Sequence, residues 1–99
     1  MSLTVVITRD VEDRYRGLLA STMLEAAAGV YVSRSLNARA RDDLWAVMLD
    51  WHAMLRRGSV TMLFSDSKED GGIAVRNAGV AARRAVRIDG ALLMHRVNE

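Results

Sequence analysis

Residues 14–32 read RYRGLLASTMLEAAAGVYV, and the fold turns on how that stretch is divided. Its opening turns carry Arg14, Arg16 and Gly17, and Leu18, Leu19 and Met23 then build an apolar face at helical spacing. The helix is expected to stop at Gly29. Val30-Tyr31-Val32, β-branched and aromatic, reads as a strand entered without a linker. In front lies Leu3–Thr8, whose Val5, Val6 and Ile7 read as a central strand buried on both faces. A strand, a helix and a directly following strand make one half of a βαβ-type unit, with the basic groups at its exposed end.

Working outward, Arg9-Asp10 closes the first strand. Asp10 reads as the helix N-cap, with Asp13 three residues on approximating a capping box. Glu12 and Asp13 also complement the positive end of the helix dipole. Gly17 stands where alanine would be better by about 1 kcal/mol. Close approach of a phosphate or a partner chain accounts for it; simple tolerance is the alternative. Asn37 caps a second helix reaching Arg57, ended by Gly58 as a left-handed cap. Ala40, Leu44, Val47, Met48, Trp51 and Leu55 form its apolar stripe, and Trp45 and Trp51 read as core or interface anchors.

Val60–Ser65 alternates like a strand, and Ile73–Ala78 pairs back on it across a polar loop. Gly79 to Gly90 reads as an arginine-bearing connection ending in an Asp89-Gly90 turn, and Ala91–Val97 as a last strand. The expected order is β-α-β-α-β-β-β, an α/β, ferredoxin-like sandwich forming a single domain over residues 1–99. Residues 86–97 or so make a C-terminal strand extension for dimer and partner contacts. Unpaired strand edges in so short a chain are templates for another chain, so a homodimer is expected.

Composition narrows the function. The chain has 99 residues, 51% of them hydrophobic, and neither cysteine nor proline. A disulfide framework, a thiolate zinc site and a cysteine nucleophile are thereby excluded. The longest apolar run falls short of the roughly 18–20 residues that span a bilayer. With no secretory signal pattern at the N-terminus, a soluble cytoplasmic protein without membrane attachment is expected. Net charge is +2, unevenly spread. Residues 1–70 hold nine basic against ten acidic side chains, whereas residues 71–99 hold five arginines against Asp89 and Glu99. All basic residues but Lys68 are arginine, whose planar fork suits phosphate; GC-rich codon usage accounts for the bias equally.

Two constellations can carry chemistry. Asp10, Glu12 and Asp13 are the carboxylates near a strand end. They fit either capping or a hard cation such as Mg²⁺ or Mn²⁺, with two Asp10 side chains sharing a metal across a dimer axis. His52 and His95 are isolated, and no GxSxG, P-loop, HExxH or GxGxxG occurs. The second constellation is electrostatic. Arg14 and Arg16 sit at the start of the first helix, and Arg83 and Arg84 on the late connection. Folded together they would track a phosphate backbone without reading bases; ordinary solvated arginines are the alternative.

These residues resemble a known family. Thr4-Val5-Val6-Ile7-Thr8, Arg14-x-Arg16-Gly17-x-Leu19, Met23-Leu24-Glu25 and Gly29-Val30-Tyr31-Val32 follow its pattern. So do Ala40-Arg41-x-x-Leu44-Trp45, Asn77-x-Gly79-Val80, Arg83-Arg84 and Ile88-Asp89-Gly90. The chain is similar to the smaller of the two universal CRISPR adaptation proteins, the Cas2 family, in its type I-E branch. The resemblance implies a ferredoxin-like homodimer bridging two dimers of the larger adaptation integrase. That assembly captures a short foreign duplex, the protospacer, and inserts it into the CRISPR array as a spacer. It further implies that Arg14, Arg16, Arg83 and Arg84 contact the duplex backbone, with Gly17 permitting close approach. Residues 86–97 would dock the integrase. The scaffold role needs no cofactor. Family members are also described as metal-dependent endonucleases, which would make Asp10 a catalytic and metal-binding residue with Mg²⁺ or Mn²⁺. A ferredoxin-like dimer with no nucleic-acid partner is a third reading.

Overall fold

β1 (Thr4–Arg9) is the middle of the sheet, as expected, but it is buried on one face and not on both: Thr4 and Val6 are buried, and Val5 and Ile7 are half-buried on the other face. The computed structural model describes residues 3–79 in full and, beyond them, the strand backbones 83–88 and 91–96. β1 pairs antiparallel with β3 (Val30–Ser33) on one side and β4 (Ser59–Ser65) on the other. β2 (Leu24–Ala27) and β5 (Ile73–Ala78) complete a five-stranded antiparallel sheet in the order β2-β3-β1-β4-β5. Helix α1 (Asp13–Ala20) follows β1, and α2 (Ala38–Leu55) follows β3. The β-α-β-β-α-β run with a fifth strand at the β4 edge is consistent with a ferredoxin-like fold. Beyond it, β6 (Arg83–Ile88) and β7 (Ala91–Arg96) form a two-stranded antiparallel sheet.

The division of residues 14–32 differs from the sequence expectation. Helix α1 ends at Ala20, not at Gly29. The Ser21 hydroxyl donates to the Leu18 carbonyl at 2.6 Å and the Met23 N–H to the Leu19 carbonyl at 2.8 Å, which turns Met23 into the core. Leu24–Ala27 is then a strand, and Gly29 belongs to the hairpin turn into β3. Gly29 has φ 75, and its carbonyl accepts the Thr8 N–H at 2.7 Å and the Thr8 hydroxyl at 3.1 Å. A Cβ there would lie 2.7 Å from the Thr8 carbonyl oxygen, so the turn requires glycine. Leu, Glu and Ala favour a helix by only a few tenths of a kcal/mol each. Pairing with β3 outweighs that preference.

Other boundaries also shift. Asp10 is not the N-cap: it has φ 53, and the cap position is Glu12, which makes no side-chain capping bond, so the Asp13 capping box is absent too. Asn37 does cap α2, its Oδ1 accepting the Ala40 N–H at 2.8 Å. Helix α2, however, stops at Leu55 with Arg56 as the left-handed cap (φ 52), leaving Gly58 in the following loop. The connection expected over Gly79 to Gly90 contains β6, because residues 83–88 pair in register with β7. The Asp89-Gly90 turn and Val97 lie outside the described residues.

Both helices cover one face of the sheet. Tyr15 and Leu19 of α1 and Leu44 and Met48 of α2, each pair one turn apart, pack on Val6, Tyr31, Val60, Met62 and Phe64. Trp45 and Trp51 pack against this core, as their anchor reading expects. The Tyr15 hydroxyl donates to the Met48 carbonyl at 3.4 Å, tying α1 to α2. The opposite face carries Val5, Ile7, Val30, Val32, Leu63 and Val75, matched across strands as Val5↔Val32, Val5↔Leu63 and Leu63↔Val75. These side chains are only half-buried and lie outside the core cluster. Among the described residues no helix is long and apolar enough to cross a membrane.

Candidate nucleic-acid interface

Tyr15 is fully buried, so its neighbours Arg14 and Arg16 are thrown to opposite flanks of α1. Arg14 leans toward α2, its guanidinium 4.6 Å from the centroid of the Trp51 ring. Trp51 in turn meets Tyr15 edge-on, with centroids 5.2 Å apart. Arg16 leans toward β2, its Nη2 3.3 Å from Glu25 Oε1. Gly17 is exposed one residue on, and nothing lies within 4 Å of where its Cβ would be. No other segment packs on it within the described residues. The outer surface of α1 is therefore a shallow saddle with a guanidinium on each side.

Glu25 is built into the sheet end beneath this saddle. Its Oε2 accepts the Gly29 N–H at 3.3 Å. Burial, and then the Glu25 carboxylate beside it, push the Tyr31 phenol above its usual range. Burial also raises the Tyr15 phenol, with the Glu12 charge adding and the Arg14 charge opposing. Both phenols are thus neutral at physiological pH. An open cleft at the same end is lined by Thr8, Asp10, Glu12, Asp13, Arg16 and Glu25, among others. Both carboxylate oxygens of Glu12 are buried there with no hydrogen-bond partner among the described residues.

The acidic trio borders this cleft but does not gather into a metal-binding group. Asp10 points outward from a left-handed turn and pairs with Arg57 at 3.3 Å, both side chains being more than half exposed. Such a pair contributes about 0–1 kcal/mol. Asp13 is exposed in the first turn of α1, while the Glu12 carboxylate is buried. Among the described residues no group of three or more His, Cys, Asp or Glu is placed to hold a metal. His52 is a structural residue, with Nε2 3.1 Å from the Gly58 carbonyl and so carrying the proton between them. His95 lies on β7 opposite Arg84.

Arg83 and Arg84 open β6, in register with Arg96 and His95. Their side chains lie outside the described residues, and so does the expected meeting with Arg14 and Arg16. A different arginine cluster had no signal in the sequence. Arg41 and Arg76 both lie over the Phe64 ring, at 3.6 Å and 4.8 Å from its centroid. Asp42 links them, 2.9 Å from Arg76 and 3.5 Å from Arg41. The hydrogen bond from Arg76 chiefly holds the Asp42 carboxyl below its usual range. The cluster staples the first turns of α2 to β5, and no local spacing relates residues so far apart.

Comparison with protein families adds a finding to this geometry. Residues 3–93 match the family model described as CRISPR-associated protein (Cas_Cas2CT1978). The match takes in the five-stranded sheet, both helices and β6, and with them Asp10, Arg14, Arg16, Gly17, Arg83 and Arg84. A match over nearly the whole chain places it: the protein belongs to the Cas2-type family of CRISPR-associated proteins.

Proposed function

We propose that this protein serves CRISPR adaptation as a homodimer, gripping the backbone of a short foreign duplex and bridging dimers of the larger integrase. The observation that carries the reading is the α1 saddle, where Arg14 and Arg16 flank the uncovered Gly17. Guanidinium groups on either side of a residue without a side chain suit a phosphate backbone, and none of the three reads a base. Sequence independence fits spacer capture, in which any foreign sequence must be accepted. Arg83 and Arg84 extend the track from β6, and the C-terminal strands, about residues 86–97, serve dimer and integrase contacts.

Two features support pairing of two copies. The sheet face away from the helices is apolar and only half-buried in one chain, and β5 forms an edge of the five-stranded sheet. The test is anisotropy on short duplexes of unrelated sequence, comparing wild type with the Arg14→Ala, Arg16→Ala double variant across a salt series. Affinity should fall equally on every sequence. The log–log salt slope should flatten by about 0.9 for each phosphate that is no longer neutralised. Unchanged affinity and slope refute the reading.

The competing assignment, a metal-dependent phosphodiesterase acting on RNA or DNA, draws on the outward, 79% exposed carboxylate of Asp10. It requires Asp10 from each of two copies. Cleavage that depends on Mg²⁺ or Mn²⁺ and disappears in Asp10→Ala would establish it; intact substrate under both metals removes it.

A further inference from the structure

Arg16 is already engaged before any nucleic acid arrives. Its Nη2 lies 3.3 Å from Glu25 Oε1, and the two members of that pair are held very differently. Glu25 is fixed from the sheet side: its Oε2 accepts the Gly29 N–H at 3.3 Å. Gly29 itself is tied to the end of β1 through the Thr8 N–H and hydroxyl. The Glu25 side chain is 27% exposed and that of Arg16 72%. The carboxylate is therefore the stationary partner and the guanidinium the movable one. A carboxylate presents Arg16 with what a phosphate presents, anionic oxygens matched to a planar fork. Arg14 differs in kind, because the Trp51 ring seats its guanidinium without cancelling its charge.

The geometry points to Glu25 as a built-in competitor for Arg16, a positioning residue that holds the guanidinium against β2 until a nucleic-acid phosphate displaces it. This inference rests on the reading of Arg16 as a phosphate contact. A lone phosphate gains little by displacing Glu25, whereas a duplex backbone touching several arginines at once can offset the loss. The pair thereby lowers by the same factor the affinity of any ligand that must take Arg16 from Glu25, and a duplex touching several arginines keeps enough affinity to bind where a lone anion does not.

The experiment is a double-mutant cycle on short-duplex affinity with the full chain, using Glu25→Gln in the wild-type and Arg16→Ala backgrounds. Glutamine keeps an acceptor for the Gly29 N–H and removes the charge. Glu25→Ala carries the same expectation, and thermal midpoints establish that the variants are folded. Glu25→Gln should tighten duplex binding about two- to fivefold, the range an exposed ion pair can withhold, and should do so only where Arg16 is present. Equal tightening in both backgrounds overturns the inference, since it reports general charge removal. Unchanged or weaker binding also overturns it, because Glu25 would then support Arg16 instead of competing with it. If Arg16→Ala alone leaves affinity unaltered, the reading of Arg16 itself fails, an outcome distinct from the other two.

Discussion

Replacing Gly58 by alanine separates two accounts of the loop that joins α2 to β4 and packs against Asp10. As a helix cap, the role expected from sequence, Gly58 would tolerate alanine at the ordinary penalty of a left-handed residue, about 1–2 kcal/mol. The structure places Gly58 elsewhere, past the Arg56 cap and against the end of β1. With φ 71, its added Cβ would lie 2.2 Å from the Arg9 carbonyl oxygen and 2.3 Å from that of Asp10. Both are backbone atoms in or next to the central strand, so relief means moving the strand end or the loop. Overpacking of this kind costs about 1–3 kcal/mol more. The expected loss is about 2–5 kcal/mol out of the roughly 5–15 kcal/mol of a domain this size. Gly72 is the internal control: it has φ 74 but, among the described residues, nothing within 4 Å of its Cβ position, so Gly72→Ala should show the conformational penalty alone. Urea unfolding of the three proteins, at one pH and one protein concentration, measures the difference directly. Losses for Gly58→Ala and Gly72→Ala equal to within about 0.5 kcal/mol would refute the close packing of this loop against β1, and with it the account of how Asp10 is held outward.

Further expectations follow from the same geometry. Asp42 has its carboxyl lowered from the usual 3.8, chiefly by Arg76; its contribution is present above that value and lost as pH falls through the lower folded one. The urea midpoint of wild type should exceed that of Asp42→Asn at pH 6, and the gap should narrow as pH falls below 3.8, by a small amount because Asp42 is half exposed; a pH-independent gap would contradict the pairing. Leu63 lies between Val5 and Val75 on the uncovered sheet face, so Leu63→Asp should leave circular dichroism native-like while sedimentation shows the proposed dimer dissociating. A dimer that persists at the same concentration would show that this face is not the contact.

The residues of the candidate site were easier to find than their partners. Arg14, Arg16 and Gly17 are legible because their relation is local: two residues along a helix reverse the direction of a side chain, and a glycine leaves a gap wherever the helix lies. What Arg14 and Arg16 lean on is not local. Trp51 reaches Arg14 from α2, and Glu25 reaches Arg16 only because residues 24–27 form a strand. That strand escapes a propensity reading because Leu24-Glu25-Ala26-Ala27 carries no β-branched or aromatic residue. Its pairing with β3 is settled by the Gly29 turn and the bonds from Thr8, residues distant in sequence. The cluster of Arg41, Asp42 and Arg76 over Phe64 is invisible for the same reason.

By itself, then, the sequence determined the alternation of buried positions in β4, the Asn37 cap and the Leu44 and Met48 core positions of α2, the absence of thiol chemistry, and the motif string of the family. Each is a matter of residue type and short-range spacing, which backbone periodicity converts into structure without help. Val47 and Leu55, expected on the apolar stripe of α2, are exposed, and β1 is buried on one face only. The tertiary structure alone decided that residues 24–27 pair as an edge strand, that Asp10 faces Arg57 instead of capping a helix, and that Glu25 and Trp51 hold the two arginines apart. Those outcomes depend on hydrogen bonds and charges contributed across the fold, and helix and strand preferences that differ by tenths of a kcal/mol per residue yield to them.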